Sequence, residues 1–189
     1  MTPSHRAGLG DAPMFRPASP QPAYSRAVMA KAARIRLVVT DCDGVWTDGG
    51  VYYSERGEAL KRFQIRDGMG VERLKDLADV ETAILSGECS PSLQQRAEKL
   101  AIAECHLGIR DKPAALRELA ARRGFGWEAI AYIGDDVNDL EVFEMAGLSA
   151  APSDAMAEVL NRVDVVCRLP GGHGAFRELA ELIIAARAG

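Results

Sequence analysis

From Arg34 onward, short apolar runs alternate with segments of helical period. "IRLVVT" (Ile35–Thr40) is β-branched and nearly continuous, the pattern of a strand buried on both faces. "ETAILS" (Glu81–Ser86) and "AIAYIGDD" (Ala129–Asp136) read the same way, and Cys105–Leu107, "LSAAP" and "DVVCRL" read as shorter strands. Helices are predicted over about Met69–Ala78, after Ser90 (N-cap) and Pro91, and between Asp111 and Gly124. Others follow in "VNDLEVFEMAG", around Ala155–Asn161 and in "GAFRELAELIIAAR". "GVYYSERGEALKRFQI" breaks the alternation. Two extended pieces, Gly50–Ser54 and Ala59–Ile65, flank "ERGE", with polar and aromatic residues on both faces. This predicts a β-hairpin projecting from the main sheet. The rest predicts right-handed βαβ units and a central parallel sheet covered on both faces, an α/β, Rossmann-like three-layer fold.

Composition adds limits rather than a function. The chain has 189 residues, 48% of them hydrophobic and 26% charged, with a net charge of −4. That balance argues against a nucleic-acid partner or an anionic membrane surface. No apolar run approaches the roughly 18 residues of a membrane span. The four cysteines (Cys42, Cys89, Cys105, Cys167) have neither C-x-x-C spacing nor a zinc-like arrangement with histidine, and are expected to be reduced. Residues 1–33 carry five prolines by Pro22 and lack the apolar core of a secretory signal. They are expected to form a disordered tail before a single domain, 34–189, in a cytoplasmic protein.

The candidate chemistry lies where the strands end. In a parallel α/β sheet, ligands bind at the carboxyl ends of the strands. The first strand ends in Asp41 and Asp43, the second in Ser86–Gly87–Glu88, and the "AIAYIG" strand in Asp135 and Asp136. Asp41 and Asp43, two apart in an extended segment, would point to one side. Asp139 follows Asp135 by one helical turn and can reach back to the same site. Carboxylates this crowded need a hard cation, and an all-oxygen donor set suits Mg²⁺. Lys112, on a βα loop, and the Ser86 hydroxyl with the Gly87 amide would complete a phosphate socket. A carboxylate beside such a socket implies phosphoryl transfer through an aspartyl phosphate.

"DCDG", "LSG", "RDKP" and "GDDVND" resemble, in order, the four motifs of the haloacid dehalogenase superfamily. The resemblance implies that Asp41 is the nucleophile and Asp43 the general acid/base, while Ser86 and Lys112 hold phosphoryl oxygens. Asp41, Asp135 and the Asp43 carbonyl would bind Mg²⁺, with Asp136 and Asp139 supporting those ligands from outside. Neither the stretch between Gly49 and Asp67 nor that between Ser86 and Lys112 is long enough for a cap domain. The hairpin sequence and "LPGGHGAFREL" resemble the capless tetrameric phosphatases of 3-deoxy-octulosonate 8-phosphate and of the nonulosonate 9-phosphates. In that subfamily the hairpin builds a homotetramer and neighbouring subunits complete each site. Arg66, Asp67 and Gly68 match its "R-D-G" signature. Gly171, Gly172, His173, Gly174 and Arg177 match its C-terminal segment, which can close over an active site.

The substrate would be a small sugar-acid phosphate. Octulosonate enzymes generally carry an arginine where this chain has Glu88. Glu88, Lys99 and Trp46 resemble the nonulosonate branch, whereas "RDGMG" resembles the octulosonate branch. The expectation is therefore a nonulosonate 9-phosphate, such as 2-keto-3-deoxynononate or N-acetylneuraminate 9-phosphate. The alternative is 3-deoxy-D-manno-octulosonate 8-phosphate of lipopolysaccharide biosynthesis. A catalytically silent scaffold is disfavoured by the intact motifs, and a phosphoacceptor receiver domain by the late position of "GDDVND". Cys42 is expected to point into the core, His106 to be structural and Trp127 to serve packing.

Overall fold

The computed structural model describes residues 24–189. Residues 1–23, and the disorder expected of them, lie outside it. The tail's expected end at residue 33 is too late. Arg26–Ala32 form a helix (α1), capped by Ser25, whose Oγ accepts from Val28 N at 3.2 Å. α1 buries Ala32, and Lys31 Nζ pairs with Asp164 Oδ1 at 2.5 Å.

Six parallel strands form the main sheet: β1 (Leu37–Thr40), β4 (Glu81–Leu85), β5 (Glu104–His106), β6 (Ile130–Ile133), β7 (Leu148–Ala151) and β8 (Val165–Val166). Their order is β5-β4-β1-β6-β7-β8. β2 (Tyr52–Ser54) and β3 (Gly57–Leu60) form a separate antiparallel hairpin. The helices are α2 (Ile65–Ala78), α3 (Pro91–Lys99), α4 (Lys112–Arg123), α5 (Leu140–Met145), α6 (Ala157–Leu160) and α7 (Ala175–Ala188).

Alternation along the strands sorts two cores. Val38, Ile84, Ala131 and Ile133 face one way and pack with α1, α2, α3 and α7. Leu37, Val39, Leu85, Ile130 and Tyr132 face the other way and pack with α4, α5 and α6. The sheet is thus covered on both faces, which explains why its strands read as continuous apolar runs. Local signals act as expected in α3, where Ser90 Oγ accepts from Leu93 N at 3.3 Å. In α4, Asp111 Oδ1 accepts from Ala114 N at 2.9 Å and Gly124 closes the helix at φ +66°.

The hairpin differs from expectation. Its second strand spans Gly57–Leu60 rather than Ala59–Ile65, and Ile65 already opens α2. A helical Asp67 and a glycine at position 70 explain the shift. The Asp67 carboxyl is buried against α7, and a Cβ at Gly70 would meet the Phe176 ring and the Arg177 backbone. Packing against α7 therefore pulls residues 65–68 into the helix. No domain is inserted over the carboxyl ends of the strands among the described residues. No described helix is long and apolar enough to cross a membrane.

Candidate active site

Register brings the strand-end residues together. Thr40 lies beside Ile84 of β4 and Ile133 of β6, so Asp41, Ser86 and Asp135 emerge from three adjacent strands at one edge. Asp41 N donates to Ile133 O at 2.9 Å, which locks the Asp41 loop to the β6 end. Carboxylate oxygens of Asp41, Asp135 and Asp139 come within 4.8 Å of one another.

Lys112 stands among them, almost fully buried. Its Nζ lies 2.9 Å from Asp41 Oδ2 and 2.6 Å from Asp139 Oδ1. Asp139 is heavily engaged. Its Oδ1 also accepts from Tyr132 OH at 2.6 Å, and its Oδ2 from Asp135 N at 3.1 Å. These bonds make Asp139 a brace for Lys112 and the Asp135 loop and leave Asp41 and Asp135 the freer ligands. Asp41 Oδ1 accepts from Cys42 N at 2.7 Å.

The electrostatics favour a cation here at neutral pH. Burial pushes the Asp135 carboxyl up to about 8, helped by the charges of Asp41, Asp139 and Asp136. Burial also raises Asp41 to about 6, against the pull of Lys112. One lysine does not neutralise three close carboxylates. A hard divalent cation held by Asp41 and Asp135 would, and the all-oxygen donor set fits one. Gly44 makes the approach possible: at φ +79° it follows a left-handed path, and a Cβ there would overlap the Asp135 carboxylate.

Asp43 does not join this cluster. The chain turns at Asp43, so its carboxylate stands apart from the Asp41, Asp135 and Asp139 oxygens and pairs with the hairpin. Its carboxylate meets Lys61 Nζ at 2.6 Å and 2.5 Å, and Thr47 Oγ1 donates to Oδ1 at 3.2 Å. Lys61, Thr47 and Tyr132 were not singled out by sequence reasoning. A lysine between Leu60 and Arg62 in a polar hairpin carries no local sign of burial.

The other predicted residues divide. Ser86 is buried, and its Oγ accepts from Glu88 N at 3.3 Å. Gly87 and Glu88 are exposed beside it. Arg66 is exposed on the first turn of α2. His173 is exposed, with Nε2 3.1 Å from Arg62 and Nδ1 2.8 Å from Gly171 O. Gly171 and Gly172 rest on the backbone of residues 44–48, and Gly172 N donates to Val45 O at 2.9 Å.

Trp46, Asp67 and Gly68 need correction, and Lys99, Arg177 and Asp136 stand outside the Asp41 cluster of their own subunit. Trp46 is buried, stacked at 4.9 Å on Phe176, with Nε1 donating to Thr40 Oγ1 at 3.0 Å. It is a core residue and does not face a ligand. Lys99 ends α3 at the opposite edge of the sheet, beside Glu81 and Glu104 in a cavity of about 560 Å³. The nine-residue helix carries it away from Ser90 and the site. Asp67 is buried, and its Oδ1 accepts from Arg177 N at 2.9 Å, capping α7. Burial raises its carboxyl to about 6. A Cβ at Gly68 would overlap the Arg96 guanidinium, so Gly68 serves helix packing. Arg177 Nε is committed to Glu181 Oε1 at 2.6 Å. Asp136 is exposed and caps the following turn, accepting from Val137 N at 2.7 Å. It reaches Asp135 only through its charge. Cys42 points into the core as expected, and burial holds its thiol well above the ordinary value. His106 pairs with Glu104 Oε2 at 2.9 Å.

Residues 105–179 match the family described as haloacid dehalogenase-like hydrolase. A 3-deoxy-D-manno-octulosonate 8-phosphate phosphatase from Haemophilus influenzae is 45% identical over 157 residues, covering 83% of this chain and 87% of that protein. The chain belongs to the haloacid dehalogenase-like hydrolases. Among solved structures, the Yersinia pestis 3-deoxy-D-manno-octulosonate 8-phosphate phosphatase superposes on this hydrolase with a TM-score of 0.84. The two are 40% identical, and the match covers 86% of this chain and 88% of the other. The Moraxella catarrhalis phosphatase of the same name, crystallised with a magnesium ion, a phosphate ion and KDO, gives a TM-score of 0.82 at 34% identity. That match covers 85% of this hydrolase and 92% of its counterpart.

Proposed function

We propose that this hydrolase is a Mg²⁺-dependent phosphatase of 3-deoxy-D-manno-octulosonate 8-phosphate that works through a phosphoaspartate on Asp41. The observation that carries the reading is the buried Asp41–Lys112–Asp139 array beside Asp135 at the strand ends. Asp41 Oδ attacks phosphorus, the bond from phosphorus to the sugar oxygen breaks, and its electron pair leaves with that oxygen. Asp43 delivers a proton to the departing alkoxide. Water then attacks phosphorus and gives its proton to Asp43. The bond between phosphorus and Asp41 breaks, which frees phosphate and regenerates both carboxyls. Lys112 and Ser86 hold phosphoryl oxygens, and Lys112 keeps Asp41 ionised for attack. Asp41, Asp135 and the Asp43 carbonyl would hold a magnesium ion, which would supply positive charge for the phosphoryl oxygens.

The substrate follows from two considerations. Relatives with high coverage bear the octulosonate name. Of the three residues that favoured a nine-carbon acid, Trp46 is in the core and Lys99 lies at the far edge from its own subunit's Asp41. Glu88 alone still favours a nonulosonate 9-phosphate, because an exposed carboxylate beside the socket can accept bonds from extra hydroxyls. The hairpin exposes Tyr52, Tyr53 and Leu60, which supports a homotetramer that covers them. A cytoplasmic site of action fits this chemistry.

A phosphate-release panel tests the substrate. Wild-type protein with Mg²⁺ should turn over octulosonate 8-phosphate faster than any nonulosonate 9-phosphate, and Asp41→Asn should release nothing. The reverse preference would restore the nonulosonate reading. Equal rates in wild type and Asp41→Asn would end the phosphatase reading altogether.

A further inference from the structure

Lys61 follows β3 by one residue, and its side chain is completely shielded from solvent. Its ammonium meets both Asp43 oxygens, at 2.6 Å and 2.5 Å, and lies 3.5 Å from Glu58 Oε2. The other Glu58 oxygen accepts from Ser90 Oγ at 2.5 Å. Ser90 caps α3, directly after the loop that carries Ser86. A chain of polar contacts therefore runs from Asp43 through Lys61 and Glu58 to the start of α3.

A lysine that served only to cover apolar surface would bury its stem and leave its charge in water. Lys61 hides its charge and spends it on one carboxylate, with a second held nearby. An ammonium held between the two oxygens fixes the direction of the Asp43 carboxyl as well as its place; once Asp43 carries a proton, one oxygen still accepts from Lys61 and the other is free to donate. Thr47 Oγ1, 3.2 Å from Asp43 Oδ1, restrains it from the other side. Proton transfer to a leaving oxygen is sensitive to such placement, and a displacement of about 1 Å can cost about 100-fold in rate.

The geometry points to Lys61 as a positioning residue for Asp43, with Glu58 as its anchor. The hairpin thereby sets the place from which the leaving alkoxide receives its proton. Lys61 acts through Asp43. The inference rests on the reading of Asp43 as proton donor.

The leaving group supplies the test. A sugar alkoxide needs a proton to depart, whereas p-nitrophenolate departs without one. Lys61→Met keeps the apolar stem and removes the charge. Its kcat on the preferred sugar-acid phosphate should fall about 30-fold to 100-fold, with KM within about twofold. Its burst rate of p-nitrophenolate release, which precedes the water step that Asp43 also serves, should stay within about threefold of wild type. Glu58→Gln should show the same split at smaller size, and it decides the matter by that ratio if Lys61→Met does not fold. Equal losses on both esters, or no loss on either, overturn the role of Lys61 and leave the phosphatase reading standing. A wild type inactive on both esters removes the phosphatase reading and this inference with it.

Discussion

The two aspartates of "DCDG" stand two residues apart, yet different parts of the molecule hold them. Asp41 belongs to the sheet. Its loop is bonded to the β6 end, and its partner Lys112 is buried at the start of α4 and braced by Asp139 and Tyr132. Asp43 belongs to the hairpin, held by Lys61 from a two-stranded ribbon whose outer face is exposed. Asp41, the proposed nucleophile, is thus fixed by the core, where packing tolerates little movement. Asp43, the proposed proton donor, is fixed by an element that lies outside that core.

The sharpest way to break this contrast is Lys112→Met. It leaves Asp41 and Asp139 buried without their cation, a change that typically costs about 3–5 kcal/mol. Thermal unfolding should drop by about 10 °C and turnover should vanish. Added Mg²⁺ should recover part of the stability and none of the turnover. A variant of near-normal stability would mean that the array is looser than its distances imply. By contrast, Lys61→Met should lower the melting temperature by less than Lys112→Met, because the Asp43 carboxylate it leaves unpaired is a quarter exposed to water.

A second effect is pH dependence. Asp135 (about 8), Asp41 (about 6) and Asp67 (about 6) all lie above the ordinary carboxylate value of 3.8. The folded state therefore holds protons that the unfolded chain has released. The stability these groups contribute is full below about pH 4 and is lost progressively as pH rises toward 8. With a chelator present, the melting temperature should fall between pH 5 and pH 8, and Asp135→Asn should flatten the fall. Mg²⁺ should stabilise more at pH 8 than at pH 5. A chelated protein equally stable across that range would contradict the crowding.

The smallest effect sharpens the contrast from outside. Lys99→Ala lies at the far edge of the sheet and should leave kcat/KM on every substrate within about twofold, as surface changes away from a site generally do. A loss confined to nine-carbon substrates would reinstate Lys99 as a specificity residue.

Legibility followed the same division. β1, β4 and β6 stood out because strands covered on both faces must be apolar throughout, and the residues at their ends are where ligands bind. Asp41, Ser86, Lys112, Asp135 and Asp139 were therefore visible from one dimension. Trp46 was misread because an aromatic residue within a motif looks the same whether it faces a ligand or Phe176. Lys99 stands far from its own Asp41 because a helix carries its last residue away from a loop that is near in sequence. Asp67 and Arg177 share a match to one subfamily, yet their observed bond is a helix cap formed across 110 positions. Lys61 was passed over because its burial depends on Asp43 and Glu58, and no local pattern records that.

Gly171 and Gly172 have a practical consequence. Their α-carbons rest on the backbone of residues 44–48, with no room for a side chain. A linker, protease site or reporter placed there would dislodge the loop that follows the nucleophile. The last residues, Ala188 and Gly189, are exposed beyond the contacts of Arg187 with the Ala33 and Ile35 carbonyls. An affinity handle or surface tether therefore belongs at that end, one helix away from the seam it must not disturb.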